Sequence, residues 1–153
     1  MKMQVEKFVR PEATDYKALD RISEIDCQAF VEDGISVFNL AQFARSGSVF
    51  ALEIDGEILA EAVMLRNFDD NGANVFGFAV DNAHTSKGLG AKLMQHLLDF
   101  ARNVGISYLE LTMNPDDERA KSFYMKKFGF IKKTDLELHP KKPQKRWLMR
   151  LDL

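Results

Sequence analysis

The amino-acid sequence predicts one α/β domain over residues 1–153, with elements in the order β-α-α-β-β-β-α-β-α-β-β. Three observations predict this class. Apolar residues recur with the period of a strand in some segments and with that of a helix in others. Asp55-Gly56, between two apolar segments, is a strong hairpin signal. The chain has 153 residues, 46% of them hydrophobic, enough for one core without disulfides or metals.

The first half of the chain is predicted to contain a strand, two helices and a hairpin. Residues 5–10 alternate like a strand. The following helix carries apolar residues at helical spacing and ends at Asp33-Gly34. Those apolar residues are Leu19, Ile22, Ile25, Cys27 and Phe30. A second helix is predicted over 35–45, and strands over 48–54 and 57–66 flank Asp55-Gly56.

The second half alternates strands and helices before closing with two strands. A strand over 74–80 precedes a glycine-containing loop and a long helix that ends at Gly105. One face of that helix is apolar: Leu89, Leu93, Leu97, Leu98, Phe100 and Ala101. A strand over 108–112 and a helix over 118–127 follow. Strands over 130–138 and 146–151 enclose a loop around Pro140 and Pro143.

Composition excludes several classes of function. The formal net charge of −2 favours neither nucleic acid nor an anionic membrane as a partner. The N-terminus lacks an apolar signal core, and no apolar run approaches the length of a membrane helix, so we expect a cytoplasmic protein. Cys27, the single cysteine, is predicted to be a buried small hydrophobe rather than a nucleophile.

The loop between the strand over 74–80 and the long helix resembles a phosphate-binding cradle. Gly88 and Gly90 leave backbone N–H groups unobstructed at the positive end of the helix dipole. The Rossmann fingerprint needs a third glycine where Leu93 stands, and a P-loop needs Lys where Leu89 follows Gly88. The loop therefore predicts a phosphorylated cofactor, but neither of these two nucleotide motifs.

The chain resembles the GNAT superfamily of N-acetyltransferases over essentially its whole length. Phe78-Ala79-Val80 followed by Thr85-Ser86-Lys87-Gly88-Leu89-Gly90 is similar to the family's cofactor motif, with Thr85 at a position usually held by Gln or Arg. The resemblance implies a mixed, mostly antiparallel central sheet of about seven strands, flanked by about four helices. It also implies acetyl-CoA as co-substrate.

A second family motif is similar to the segment from Asp117 to Tyr124, followed by Gly129-Phe130. Asp117 stands where the family usually has Asn, and Asn114 is a candidate to supply that amide. Tyr124 lies one residue farther from the Gly-Phe pair than is usual. An inserted residue rotates a helix by about 100°, so the spacing affects where the Tyr124 hydroxyl points.

By resemblance, the backbone of residues 78–80 pairs with the pantetheine arm, which enters where this strand and the strand around Glu110 part. The N–H groups from Ser86 to Ala91 hold the pyrophosphate. The implied cofactor-binding residues are Phe78, Ala79, Val80, Thr85, Ser86, Lys87, Gly88, Leu89, Gly90, Ala91, Asn114, Asp117 and Phe123.

The resemblance implies direct attack by an amine on the thioester, which requires a proton acceptor and a proton donor. Tyr124 is the candidate acid for the CoA thiolate; the structural alternative is an aromatic that packs a helix on the sheet. Glu110, between Leu109 and Leu111, is the candidate base; a paired or solvent-facing strand glutamate is the alternative. Glu61 ranks next, and water serves in some relatives.

The resemblance implies that the acceptor is a primary amine of a small molecule, peptide or protein. Aromatic residues are candidates to line its pocket, although aromatics on helices more often pack in a core: Phe30, Phe38, Phe43 and Trp147. Asp33 and Asp69-Asp70 are candidates to attract a cationic acceptor. His84, His96 and His139 lack metal-ligand spacing, so no metal is expected; His84 is expected to be exposed.

Other functions compete with catalysis. A non-catalytic member of the fold would bind acetyl-CoA or a protein partner without turnover. An unrelated phosphate binder would share only the glycine loop. Homodimer formation through the C-terminal strands is left open.

Overall fold

The computed structural model describes residues 4–137 and 144–153. The strands are β1 (Glu6–Val9), β2 (Val49–Ile54), β3 (Glu57–Arg66), β4 (Gly72–Val80), β5 (Tyr108–Met113), β6 (Ile131–Glu137) and β7 (Lys145–Asp152). The α-helices are α1 (Tyr16–Ala29), α2 (Val37–Arg45), α3 (Leu89–Asn103) and α4 (Glu118–Lys121). A 3₁₀ turn spans Asn82–His84, and a π-helix, Ser122–Lys127, directly follows α4. Leu138, His139, Pro140 and Pro143 lie outside the described residues.

The strands form one seven-stranded sheet in the order β1-β2-β3-β4-β5-β7-β6. Pairing is antiparallel between β1 and β2, β2 and β3, β5 and β7, and β6 and β7. The pair β4 and β5 is parallel, with Gly72 opposite Tyr108 and Asn74 opposite Glu110. The predicted mixed, mostly antiparallel sheet and the predicted order of elements are confirmed.

The chain divides into two compact units. The first runs to Leu65 and takes in Val75–Phe100, and the second contains Arg66–Asn74 and Ala101–Leu153. In the first unit, the core packs Leu19, Ile22 and Ile25 of α1 and Leu40 of α2 against the strand residues Val49, Ala51 and Val63. In the second, the buried residues include Leu109, Leu111, Met113, Phe130 and Met149.

One part of the predicted α1 face is wrong. Cys27 is exposed, and Phe30 lies beyond the helix end with 39% of its surface exposed. The fourth buried residue of α1 is instead Asp26, because it lies one turn from Ile22 on the same helical face as Leu19. Cys27 is about 200° around the helix from Ile25 and therefore cannot share that face.

No helix in the described part of the chain has both the length and the apolar character needed to cross a membrane.

Candidate functional site

Strand β4 leads directly into the glycine loop. Ala79 is buried, whereas Phe78 and Val80 are partly buried, as expected of alternating strand positions. After Asp81 the chain makes the 3₁₀ turn and then enters the loop 85–88 before α3. Residues 75–100, which include the end of β4, the loop and most of α3, belong to the first unit.

Two residues of the loop have left-handed backbone conformations. Ser86 has φ of 72° and Gly88 has φ of 77°. The left-handed region is sterically costly for serine, so Ser86 marks a strained position in the loop. A Cβ added at Gly88 would meet no atom within 4 Å, so the space beside the glycine is open.

The first turn of α3 offers backbone donors next to this space. Lys92 N donates to Gly88 O at 3.1 Å. In any α-helix the preceding N–H groups, here those of Leu89, Gly90 and Ala91, have no partner within the helix. The arrangement suits an anion, because these groups and the helix dipole both favour negative charge.

Side chains of the loop contribute unequally. The Leu89 side chain is buried in the core, so only its backbone is oriented toward the loop. Thr85 Oγ1 donates to Asn82 O at 3.4 Å and thereby ties the loop to the 3₁₀ turn. Ser86 and Lys87 are exposed.

Asp81 anchors the loop and was missed by sequence reasoning. It is 5% exposed, and its N–H donates to Leu59 O at 2.8 Å. Its carboxylate lies 2.7 Å from His84 Nδ1 and 3.3 Å from Arg21 Nη2. The hydrogen bond with His84 outweighs the effect of burial and lowers the pKa of Asp81. His84 is consequently half-buried and paired, not exposed as predicted.

In the second unit, Asn114 and Asp117 organise the start of α4. Asn114 Oδ1 accepts from Asp116 N at 2.9 Å, and Asp117 Oδ1 accepts from Ala120 N at 3.0 Å. Asp117 is therefore the N-cap of α4, a role that Asp and Asn fill equally well. The departure of Asp117 from the family motif thus leaves the helix start intact.

Tyr124 lies in the π-helix and is partly buried. Its ring makes edge contacts with Phe123 and Phe130, at centroid distances of 5.1 and 5.7 Å. Burial raises the pKa of Tyr124 well above its usual range, and the positive charge of Arg146 partly opposes this shift. Arg146 itself donates to Thr112 O at 3.0 Å. The phenol is therefore protonated at neutral pH.

The π-helix accounts for the additional residue between Tyr124 and Gly129. A π-helical turn closes a hydrogen bond between residues five apart instead of four and so holds one more residue. The segment ends where Phe130 N donates to Tyr124 O at 2.9 Å. The extra residue is accommodated within this segment.

Glu110 lies on β5 as predicted, between the buried Leu109 and Leu111. Its own side chain points to the opposite face and is partly exposed. Its register partners are Asn74 on β4 and Arg150 on β7. Both the catalytic and the paired interpretations of Glu110 remain consistent with this position.

Glu61, the second candidate base, is completely buried on β3 in the first unit. Among the acceptor candidates, Phe38 is 73% exposed, whereas Phe43 packs against Phe76. Trp147 lies between the ammonium groups of Lys121 and Lys132, at 4.8 and 4.6 Å from its centroid.

Two further candidate groups, Asp70 and His96, have structural partners. Asp70 accepts from the Tyr108 hydroxyl at 2.7 Å. His96 stacks on Phe8 at 5.0 Å and contacts Glu6. Within residues 4–137 and 144–153, His, Cys, Asp and Glu side chains form no group of three or more that could hold a metal ion.

Comparison with known families decides the assignment. The model of the acetyltransferase (GNAT) family matches residues 16–130. The chain belongs to this family. The GNAT match contains both motifs, from β4 and the glycine loop to Phe130. No curated protein sequence matches this GNAT chain.

Solved structures share the fold of this GNAT protein. Ard1 from Thermoplasma volcanium has 19% identity and a TM-score of 0.83, with 97% of each chain covered. The ribosomal-protein-S18-alanine N-acetyltransferase from Escherichia coli has 22% identity and a TM-score of 0.78, over 97% of this chain and 94% of that one. The putative acetyltransferase yncA from Salmonella typhimurium, solved with its cofactor acetyl-CoA, has 20% identity and a TM-score of 0.76, over 97% and 93%.

Proposed function

We propose that this GNAT protein transfers the acetyl group of acetyl-CoA to a primary amine by direct attack on the thioester. The observation that carries the proposal is the loop before α3, with its left-handed Ser86 and Gly88 and its open space at Gly88. Family membership supports acetyl-CoA as the ligand of this loop, because acetyl-CoA carries a pyrophosphate that suits an anion-binding helix start.

The cofactor contacts follow from this assignment. Backbone N–H groups from Ser86 to Ala91 bind the pyrophosphate, and the backbone of residues 78–80 pairs with the pantetheine arm. Thr85 and Lys87 border the loop, and family membership implies Asn114, Asp117 and Phe123 as further cofactor-binding residues. The bound neighbour yncA supports acetyl-CoA as the ligand of this fold.

The chemistry requires two proton transfers. The attacking amine must lose a proton, which Glu110 accepts directly or through water, and the new C–N bond forms as the C–S bond breaks. Tyr124 then donates its proton to the departing thiolate. The phenol is protonated at neutral pH, as this role requires.

The acceptor is an amine of a peptide, a protein or a small molecule. Two neighbours of the fold carry names that refer to protein or peptide amines: the S18-alanine acetyltransferase and the NatC complex bound to Gag peptide and CoA. A panel of peptide N-termini, lysine peptides and polyamines therefore tests the acceptor class.

The first experiment is thermal unfolding with acetyl-CoA, CoA, ATP and NAD at equal saturating concentrations. A ligand at 100 times its Kd stabilises the native state by about 2.7 kcal/mol, or about 5–10 °C in Tm. We expect this shift with acetyl-CoA and CoA alone, followed by amine-dependent thiol release. No shift with either CoA form, or an equal shift with ATP, would contradict the proposal. A shift without thiol release from any amine would favour a non-catalytic acetyl-CoA binder.

Gly88→Ala tests the loop directly, and Gly105→Ala is its matched control. The two glycines have φ of 77° and 81°, and an added Cβ at either meets no atom within 4 Å. Both variants should lose about 1–2 kcal/mol of stability from the left-handed backbone. Only Gly88→Ala should lose the CoA-induced shift in Tm, because its methyl group occupies the space beside the N–H groups. An unchanged shift would place the anion elsewhere.

A further inference from the structure

Two carboxyl groups are buried together in the first unit. Asp26 on α1 is 1% exposed, and Glu61 on β3 is fully buried. Glu61 is paired across the sheet with Ala51 and shares its face of β3 with Val63, so it points into the apolar layer beneath α1 and α2. The family motifs do not include either residue.

Three of the four carboxyl oxygens have no hydrogen-bond donor among the described residues: Asp26 Oδ1, Glu61 Oε1 and Glu61 Oε2. Only Asp26 Oδ2 has one, accepting from Ile35 N at 2.7 Å. An ionised carboxylate without donors costs several kcal/mol in a protein interior, and two adjacent ones also repel each other. The arrangement is therefore incompatible with two ionised groups.

A single proton on the pair removes the repulsion and supplies the missing hydrogen-bond donor. The two carboxyls are within hydrogen-bonding reach, so protonation of Glu61 turns their contact into an O–H···O⁻ hydrogen bond. Burial, and then the adjacent Asp26, raise the pKa of Glu61 well above its usual range, with a smaller contribution from Cys27. Protonated Glu61 donates to Asp26, which also accepts from Ile35 N.

We propose that Glu61 and Asp26 share one proton at neutral pH, and that this proton holds the turn between α1 and α2 in place. Asp26 is the link, because its other oxygen binds Ile35 at the end of that turn. Ser23 Oγ donates to Ile35 O at 2.6 Å, so both backbone groups of Ile35 are bound to α1.

The surrounding chain is closely packed. A Cβ at Gly34 would clash with Cys27 Sγ, and a Cβ at Gly77 would lie 3.4 Å from Asp26 Oδ1. Asp26 and Cys27 on α1 are the titratable groups that act on Glu61. The neighbours described on β2, β4 and the turn, namely Ala51, Gly77 and Ile35, carry no ionisable side chain, so none of these three compensates a second negative charge.

The sign of the pH dependence follows from the raised pKa of Glu61. Between the unfolded pKa, about 4.3, and the higher folded pKa, the native state holds one more proton than the unfolded state. Stability therefore falls as pH rises through this interval, and the unfolding constant increases by up to about tenfold per pH unit. Above it, the pair carries two charges, and the contact from Asp26 to the turn weakens.

Carbon-13 NMR of glutamate carboxyl groups in the wild-type protein tests the shared proton without any variant. We expect one glutamate signal, absent in Glu61→Gln, that is still protonated at pH 7, well above the ordinary glutamate pKa of about 4.3. If every glutamate titrates near that ordinary pKa, the shared proton is ruled out.

The variant Glu61→Gln mimics the protonated acid, because its amide donates to Asp26 without a titratable proton. Unfolding of this variant should keep wild-type stability near pH 5 and lose the decline toward pH 9. Glu12→Gln, which removes an exposed carboxylate, should retain the full decline. The same decline in Glu61→Gln as in wild type would overturn the proposal.

A kinetic consequence rests on the proposed function. If the turn helps to position the acceptor amine, the KM of that amine rises between pH 7 and pH 9 in wild type but not in Glu61→Gln. The KM of acetyl-CoA should be unaffected in both proteins. An equal rise in both proteins removes this positioning role. Absence of transferase activity would refute the proposed function and leave the NMR result intact.

Discussion

At the scale of single residues, Asp81 shows how one carboxylate fixes the loop that carries the glycines. It accepts from His84 and Arg21 and lies almost fully buried behind the loop. Hydrogen bonds to a buried charged group contribute about 1.5–3 kcal/mol. Asp81→Asn should therefore lower the free energy of unfolding by about this amount at pH 7.

The pH dependence of this loss has a definite sign. The lowered pKa of Asp81 gives stability that is present above the unfolded pKa, about 3.9, and is lost as pH falls through the folded pKa. Wild type and Asp81→Asn should converge in chemical denaturation as pH falls below the folded pKa of Asp81. Asp20→Asn, at an exposed position of α1, serves as control and should match wild type throughout. A constant difference at all pH values would show that the charge of Asp81 is unimportant.

Tyr124 carries the sharpest prediction about catalysis. Tyr124→Phe keeps the ring contacts with Phe123 and Phe130 but removes the only proton that the residue can donate. We expect kcat to fall about 10²-fold or more, with the Kd of acetyl-CoA unchanged. Stopped-flow thiol release and calorimetry measure the two quantities. Tyr16→Phe, at a residue 61% exposed, should leave both unchanged; unchanged turnover in Tyr124→Phe would mean that Tyr124 only packs.

The sequence predicted some of these residues and missed others for physical reasons. The apolar alternation along β5 predicted that Glu110 lies between two buried residues, because successive side chains of a strand point to opposite faces. Apolar periodicity missed Asp26, since a carboxylate becomes buried only when a distant partner, here Glu61 or Ile35 N, satisfies it. The Asp81–His84 pair was missed because the 3₁₀ turn that brings them together has no apolar pattern.

At the scale of elements, turn chemistry determined which boundaries were predicted well. Strand β3 has its predicted bounds, because Asp55 and Gly56 both adopt positive φ, as a tight hairpin requires. Strand β4 begins two residues earlier than predicted, at Gly72. Asn67 N donates to Gly72 O at 2.9 Å and closes the preceding turn, a contact that residue types alone do not reveal.

The π-helix gives a prediction about deletions. Removing Lys126, an exposed residue of this segment, should convert it to an ordinary α-helix with the family's usual spacing between Tyr124 and Gly129. Thermal unfolding should shift by no more than about 4 °C. Deletion of the equally exposed Gln95 from α3 is the control and should abolish cooperative unfolding, because it rotates Leu97 and Leu98 by about 100° out of the core. If both deletions are equally damaging, the π-helix is not a local insertion.

At the scale of the whole molecule, the order of elements predicted the sheet but not its complete topology. The long helix between β4 and β5 allows their parallel pairing, since parallel neighbours need a crossover. The order of elements does not predict that β7 lies between β5 and β6. Two antiparallel strands joined in sequence fit the sheet in either order, and only the pairing of Leu109 with Leu151 and Leu111 with Met149 decides between them.

This topology leaves β6 at the end of the strand order. The backbone N–H and C=O groups on the outer side of an edge strand can pair with a strand of a second copy of the chain. Its side chains are mostly exposed and include Lys132, Lys133, Asp135 and Glu137. Charged side chains on an edge strand oppose edge-to-edge pairing, so we expect sedimentation at the monomer mass of 17.4 kDa. Lys133→Val should promote self-association, whereas Lys17→Val, at an exposed position on α1, should not. A wild-type dimer that Lys133→Glu leaves unchanged would show that copies associate through another surface.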